Sequence, residues 1–281
     1  MDEIQKEKIA SLVLFLITII IVAPVVLIFV LVLVRGLPAL TPEFLSAMPR
    51  DGMRAGGIFP AIIGTIYLTL GTALFSIPLG ILAAIYLNEY AQRNWLTRVI
   101  ELAIINLAGV PSIVYGLFGL GLFVTFLQFG ASILAGSLTL AIMTLPVIIT
   151  ATREALGAVP RSFREVSFSL GASRWQTVRH VVLPNAIPGI ITGAILGLSR
   201  AAGETAPILF TVAAFYLPQL PKSIFDQAMA LPYHLYVIST QVPNVNEKVR
   251  YGTALVLLAL VLFVNLVAII IRYKFRKKKK W

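Results

Sequence analysis

An all-α, polytopic membrane protein with six transmembrane helices is the fold class this sequence predicts, on three observations. Of its 281 residues 58% are hydrophobic and only 12% charged, where a soluble domain carries about 25% charged residues. The apolar residues gather in runs that reach the about 20 residues needed to cross a bilayer. Between the runs lie polar stretches whose Lys and Arg are strongly biased to alternate connections.

Residues 9–34 form the first run. Its length, with no small-residue cleavage site behind it, marks a span and not a cleaved signal. Residues 36–57 make a polar connector with Pro and Gly. Residues 58–87 form the second span, and Pro78 inside it predicts a kink. A polar turn over 88–98 leads to the third span, 99–126, which is glycine-rich and broken by Pro111. An uncharged turn over 128–133 precedes the fourth span, 134–152. A long polar excursion, 153–184, follows. The fifth span is expected over 187–215 with Arg200 and Glu204 in its middle. A second large connector, 216–250, leads to the sixth span, 251–271, and a basic tail, 272–281.

Sixteen of the 23 Lys and Arg residues fall on the side of the termini, six fall on the other, and Arg200 lies within a span. The positive-inside rule then places both termini, the tail and the excursion in the cytoplasm, and connectors 36–57 and 216–250 outside. No internal repeat or linker is visible, so residues 1–281 read as a single transmembrane permease domain.

The net charge of +11 does not point to nucleic acid, because seven of the basic residues crowd into the last ten. That position, directly behind an apolar span, suits anionic lipid headgroups. There is no cysteine, hence no disulfide framework and no thiolate metal site. No His/Glu metal spacing occurs, and neither a metal nor a cofactor is expected. No nucleophile, base and orienter share a face, which argues against an enzyme.

The excursion has helical periodicity through Leu156, Val159, Phe163, Val166 and Leu170, with Pro160 near a helix start or kink. Gly171 permits a sharp turn. Ser173 is positioned to cap a second helix over 174–183, which Pro184 is expected to terminate. The spacing Glu165, Gly171, then Val181-Val182-Leu183-Pro184 resembles the EAA loop of ABC importer permeases, with Val166-Ser167 in place of two alanines and Val181 in place of isoleucine. The resemblance implies the type I ABC importer permease architecture. It also implies that Glu165, Gly171, Ala172, Ser173, Leu183 and Pro184 couple the chain to a cytoplasmic ATPase. The sequence contains no G-x-x-x-x-G-K-[ST], so the nucleotide site is expected on another subunit.

In the fifth span Gly189, Gly193 and Gly197 form a small-residue ridge. At 3.6 residues per turn, Arg200 and Glu204 fall with the three glycines in a sector of about 80°. Small residues mark close helix contacts in a membrane, so both charges are expected to face protein. One reading is that they only neutralise each other, one turn apart. The other is that the Arg200 guanidinium receives an anion, with Glu204 holding it until cargo arrives. The segment Arg200-Ala201-Ala202-Gly203-Glu204-Thr205-Ala206-Pro207 resembles the signature of phosphate ABC permeases. So do Gly109-Val110-Pro111-Ser112-Ile113-Val114-Tyr115-Gly116-Leu117 and Ala230-Leu231-Pro232-Tyr233-His234. The likeness is to the PstA type more than to its PstC partner. It implies phosphate as cargo, a PstC-type permease beside this chain, a PstB-type ATPase dimer inside and a PstS-type phosphate-binding protein outside. The physics alone supports an anion and does not separate phosphate from sulfate or molybdate. A gradient-driven transporter would show inverted repeats, and none is visible.

Overall fold

The computed structural model describes residues 3–277. The end of the basic tail, residues 278–281, lies outside the described residues. Among the described residues, five helices are long and apolar enough to cross a membrane, and a sixth crossing results if one bent pair is a single span.

Helix α1 (Glu3–Gly36) carries the first apolar run and exposes nearly all of it. Its last turn is fastened to α12 (Glu247–Lys277), the sixth expected span. There Arg35 lies over the Tyr251 ring at 5.4 Å and reaches Glu247 at 3.6 Å. The connector that follows folds into a short helix, α2 (Pro42–Ser46), capped by Thr41, and a two-residue hairpin, β1 (Pro49–Arg50) with β2 (Ala55–Gly56).

Helix α3 (Phe59–Ile85) continues as a π turn over Tyr86–Tyr90. Its buried face is lined with hydroxyls. Thr65, Thr69 and Thr72 each donate to the carbonyl four residues back, at 2.7–2.8 Å. Satisfying those groups within the helix lets a polar stripe lie inside an apolar bundle. The stripe packs on α6 (Ile133–Gly157), whose first backbone donors are met by carbonyls of Thr211, Asp226 and Ile224. The free N–H groups of a helix start are thus paired by the two neighbouring connections.

The third expected span differs from a straight crossing. Its helix starts earlier, at Trp95, with the Asn94 side chain accepting from the Thr97 N–H at 2.9 Å. It then breaks into α4 (Trp95–Ala108) and a second piece, α5 (Ser112–Gly119), prolonged by a π turn to Phe126. The pieces meet at 106°. Pro111 causes the break: it has no N–H to give and takes extended backbone, φ −58° and ψ 141°.

The excursion contains α7 (Arg161–Ser169), entered through Pro160, and α8 (Arg174–Thr177). Between them Gly171 has φ +81°, a conformation that costs a residue with a side chain. Ser173 caps α8 in a full capping box with Gln176. Pro184 does not end this helix as expected. A π turn over Val178–Val182 follows α8, and Pro184 lies just behind it in α9 (Leu183–Gly203), where the change of hydrogen-bond register accommodates a residue without an N–H. The whole stretch Arg174–Gly203 is one continuous helical span.

Its far end differs as well. Residues 204–215 do not continue the helix. Gly203 is its last residue, Glu204 turns to extended backbone with ψ 134°, and a separate short helix α10 (Ala206–Thr211) begins. Pro207 explains the stop, since it cannot bond back to the Gly203 carbonyl. The chain then runs extended beside residue 228, with the Ala214 N–H on the Ala228 carbonyl at 3.1 Å, and enters α11 (Leu231–Thr240).

The glycine ridge of α9 faces α6. A Cβ on Gly189 or Gly193 would sit 2.5 Å from the Cβ of Ala155 or Ala151, so the two helices approach closely where glycine meets alanine. A second seam joins α9 to α12, where Ser199 bonds the Asn265 side chain and Arg272 donates to Thr192 at 3.2 Å.

Candidate functional site

Two sites emerge, at opposite ends of the bundle. The first is the protrusion made by α7 and α8. Glu165 is exposed on it, as are Gly171 and Ser173, while Ala172, Leu183 and Pro184 are half-buried. Around the Gly171 turn the surface is apolar. Leu170 is 83% exposed, and Val166, Phe168 and Trp175 are also open. The tip is thus an apolar patch left uncovered by the chain itself. The predicted residues Glu165, Gly171, Ala172 and Ser173 are therefore brought together at the turn. Leu183 and Pro184 sit apart from them, at the root of α9.

The protrusion is held by residues that sequence reasoning did not single out. Arg164 donates to both carboxylate oxygens of Glu89, at 2.7 and 3.2 Å, and to the carbonyls of Val159 and Leu156, at 2.8 and 2.9 Å. Ser167 and Thr177 share a buried hydrogen bond of 2.8 Å between α7 and α8. Arg174 lies over the Tyr90 ring at 5.9 Å. A further pair, Arg153 with Glu101 at 2.5 Å, ties α6 to α4.

The second site is at the break after α9. Arg200 occupies the last turn of the helix, where a cation suits the C-terminal end of the dipole. Its Nε donates to Glu204 Oε1 at 3.1 Å. The two side chains differ in exposure, Arg200 at 41% and Glu204 at 17%. Sequence reasoning put both on the buried glycine face. Glu204 instead leaves the helical register at the break, and Arg200 lies on the surface of the single chain, beside the α6 contact and not within it. Glu204 lines a narrow cleft with Thr65, Thr69, Ala201, Ala230 and Pro232. In that cleft Thr65 accepts from the Leu231 N–H at 2.8 Å, fixing the start of α11. The Tyr115 hydroxyl donates to the Leu107 carbonyl across the Pro111 break at 2.7 Å.

The site therefore joins two of the three segments of the phosphate-permease resemblance: 200–207 through the ion pair and 230–234 through the start of α11. Thr65 and Thr69 were not foreseen. Their only sequence signal is a Thr every four residues in an apolar run. A larger groove of about 570 Å³ between α3, α6 and residues 221–224 is lined by apolar residues such as Leu70, Leu74 and Ile133, with Lys222 at its edge. That lining offers little to a hydrated oxyanion.

Of the residues in the 216–250 connector, His234 is 2% exposed and packs beneath the hairpin at Gly56, Gly57 and Ile58. Burial holds its imidazole pKa down at about 4. Tyr216 donates to the Pro49 carbonyl at 3.2 Å, linking the two large connectors. Tyr233 and Tyr236 stack at 6.3 Å.

The profile of the family described as "Binding-protein-dependent transport system inner membrane component" matches residues 76–281. A probable ABC transporter permease protein, YqgI of Bacillus subtilis, is 36% identical over 93% of this chain and 93% of its own length. The phosphate transport system permease protein PstA 1 of Mycobacterium tuberculosis is 34% identical, covering 98% of this chain and 90% of that protein. A probable phosphate transport system permease protein PstA of Methanocaldococcus jannaschii is 32% identical over 92% of this chain and 90% of its own. Among solved structures, a bacterial ABC transporter that imports the acidic polysaccharide alginate superposes with a TM-score of 0.66 at 14% identity, over 95% of this chain and 98% of the other. The MetNI methionine ABC transporter in an inward-facing conformation gives 0.63 at 18% identity, over 76% and 94%. At these identities the structures speak for the fold.

Proposed function

The chain belongs to the family of binding-protein-dependent transport system inner membrane components, and from that premise we propose that it is the permease subunit of an ATP-driven importer of inorganic phosphate. It forms half of the translocation pathway and works as one unit. Residues 153–184 couple to the ATPase through Glu165, Gly171, Ala172, Ser173, Leu183 and Pro184. Connectors 36–57 and 216–250 face outward, and both termini and the basic tail lie on the ATPase side. The other components are a PstC-type permease, a PstB-type ATPase dimer and a PstS-type phosphate-binding protein, set in a cytoplasmic membrane.

One observation carries the substrate reading. Arg200 is half-open to the surface of the single chain and is held by one carboxylate through Nε alone. Its remaining N–H groups suit a tetrahedral oxyanion, and Glu204 keeps the guanidinium oriented while it waits. The surface on which Arg200 lies is where the second permease would complete a pathway between subunits. Relatives whose names specify phosphate, at 32–34% identity over more than nine-tenths of the chain, support phosphate over other oxyanions.

The test is phosphate uptake into vesicles holding the complete four-component assembly. Uptake is expected to require ATP and to persist against excess sulfate or molybdate. Uptake without ATP, or equal competition by sulfate, would overturn the reading.

A further inference from the structure

The two helices of the protrusion are attached to the bundle by different routes. Helix α8 passes through the π turn into α9 without a break, so it shares a backbone with Arg200. Helix α7 has no such continuity. It is separated from α6 by Ala158, Val159 and Pro160 and from α8 by the Gly171 turn. The buried Ser167–Thr177 bond ties it to α8, and Arg164 ties it to α3 and to the end of α6, through the two bonds to Glu89 at 2.7 and 3.2 Å and two carbonyl bonds. The side chains of Arg164 and Glu89 are 16% and 9% exposed, so water competes little for them. Glu89 belongs to the π turn that prolongs α3. At its other end α3 places Thr65 and Thr69 in the Glu204 cleft, and Thr65 holds the first N–H of α11.

Among the residues around the cleft, Ala201 and Ala202 form a wall on α9 and Thr65, Leu68 and Thr69 a wall on α3, and each of these two walls leads back to a different helix of the protrusion. We propose that the Arg164–Glu89 pair is a positioning latch that makes α3 move with α7, so that both walls of the Glu204 cleft respond together when the protrusion is displaced. This rests on the transport reading and deepens it. A fork accepted by both oxygens of one carboxylate fixes orientation as well as distance, which a single solvated contact does not. Without the latch, motion of the protrusion still reaches Arg200 along α9. The wall bearing Thr65 stays behind, and ATP turnover no longer reshapes the cleft. Arg164 and Glu89 touch neither the cleft nor Arg200 and act only through α3.

The test uses the complete assembly in vesicles, reading phosphate moved and ATP hydrolysed in the same sample. Glu89→Gln and Arg164→Gln are each expected to lower phosphate moved per ATP by about tenfold, with ATP turnover kept within about twofold. The chain has no cysteine, so Glu89→Cys with Arg164→Cys introduces the only two thiols of this subunit. Joining them with a short, reducible bifunctional thiol reagent, in an assembly with cysteine-free partners, is expected to restore the ratio, and reduction to abolish it again. An undiminished ratio in Glu89→Gln overturns the latch. So does a parallel fall in uptake, ATP turnover and assembled complex, which is what a merely structural pair would give. So does a tether that restores nothing. Wild-type uptake in the same vesicles separates the two readings: its absence overturns the transport function and the latch with it, whereas its presence confines any failure to the latch.

Discussion

Arg200 is a charge whose environment is only half built by its own chain. Its Nε is engaged by Glu204, and in the function proposed above the rest of the guanidinium meets the cargo. Arg200→Gln is expected to lower uptake by about 10- to 100-fold, the weight of one charge-assisted hydrogen bond of about 1.5–3 kcal/mol, with the amount of assembled complex unchanged. If the pair served only to neutralise itself, Arg200→Gln combined with Glu204→Gln would transport normally. Uptake by the double variant, compared with the single one, decides between these. His234 makes a different prediction. Its folded pKa of about 4 lies below its ordinary 6.5, so the unfolded chain binds more protons between those values. The stability due to keeping the ring neutral is whole above pH 6.5 and is lost as pH falls toward 4. At pH 5 the loss is about 2 kcal/mol. Thermal unfolding at pH 7 and 5, wild type against His234→Phe, should show a fall in Tm that the variant lacks.

At the scale of elements, hydropathy exposed the spans because burial in lipid is a matter of composition. The breaks were less visible. Pro111 and Pro207 were both readable as helix disruptors, yet the 106° bend and the turn to extended backbone at Glu204 depend on what catches the chain afterwards. The wheel drawn through Glu204 failed for that reason: it carried a helical angle past Gly203, where no helix exists. Pro184 failed in the other direction, because a π turn absorbed it. The Gly171 turn was legible, since a capping Ser and a Gln three residues on leave little choice beyond it. Here the expected cost is purely of the backbone. A Cβ at Gly171 would meet nothing within 4 Å, but φ is +81°. Gly171→Val should therefore strain the turn by about 1–2 kcal/mol, whereas Gly171→Asn, which tolerates left-handed backbone, should keep most coupling. ATP-driven uptake by the two variants, with ATPase retention on the membrane as the control, measures the difference.

At the scale of the whole molecule, the chain is built to be covered. The apolar surface of α1 is open along nearly its full length, and α4 buries no residue. Lipid and neighbouring subunits are the natural cover for such faces. What the sequence concealed at this scale is the wiring between distant segments. Glu89 and Arg164 are 75 residues apart, with no spacing rule to join them; their sole sign is that each is a charge at the edge of an apolar stretch. Thr65 and Glu204 likewise meet only because residues 204–232 double back. Periodicity describes one helix at a time, and the cleft exists between helices.

The unbroken helix from Arg174 to Gly203 has a mechanical consequence. At 1.5 Å per residue, Arg200 stands on the order of 39 Å from the elbow where the helix begins. Swinging such a lever by about 4° carries the guanidinium roughly 3 Å, the full length of a charge-assisted hydrogen bond. In the function proposed above, gripping an ion and letting it go would be separated by a pivot of a few degrees at the far side of the bilayer.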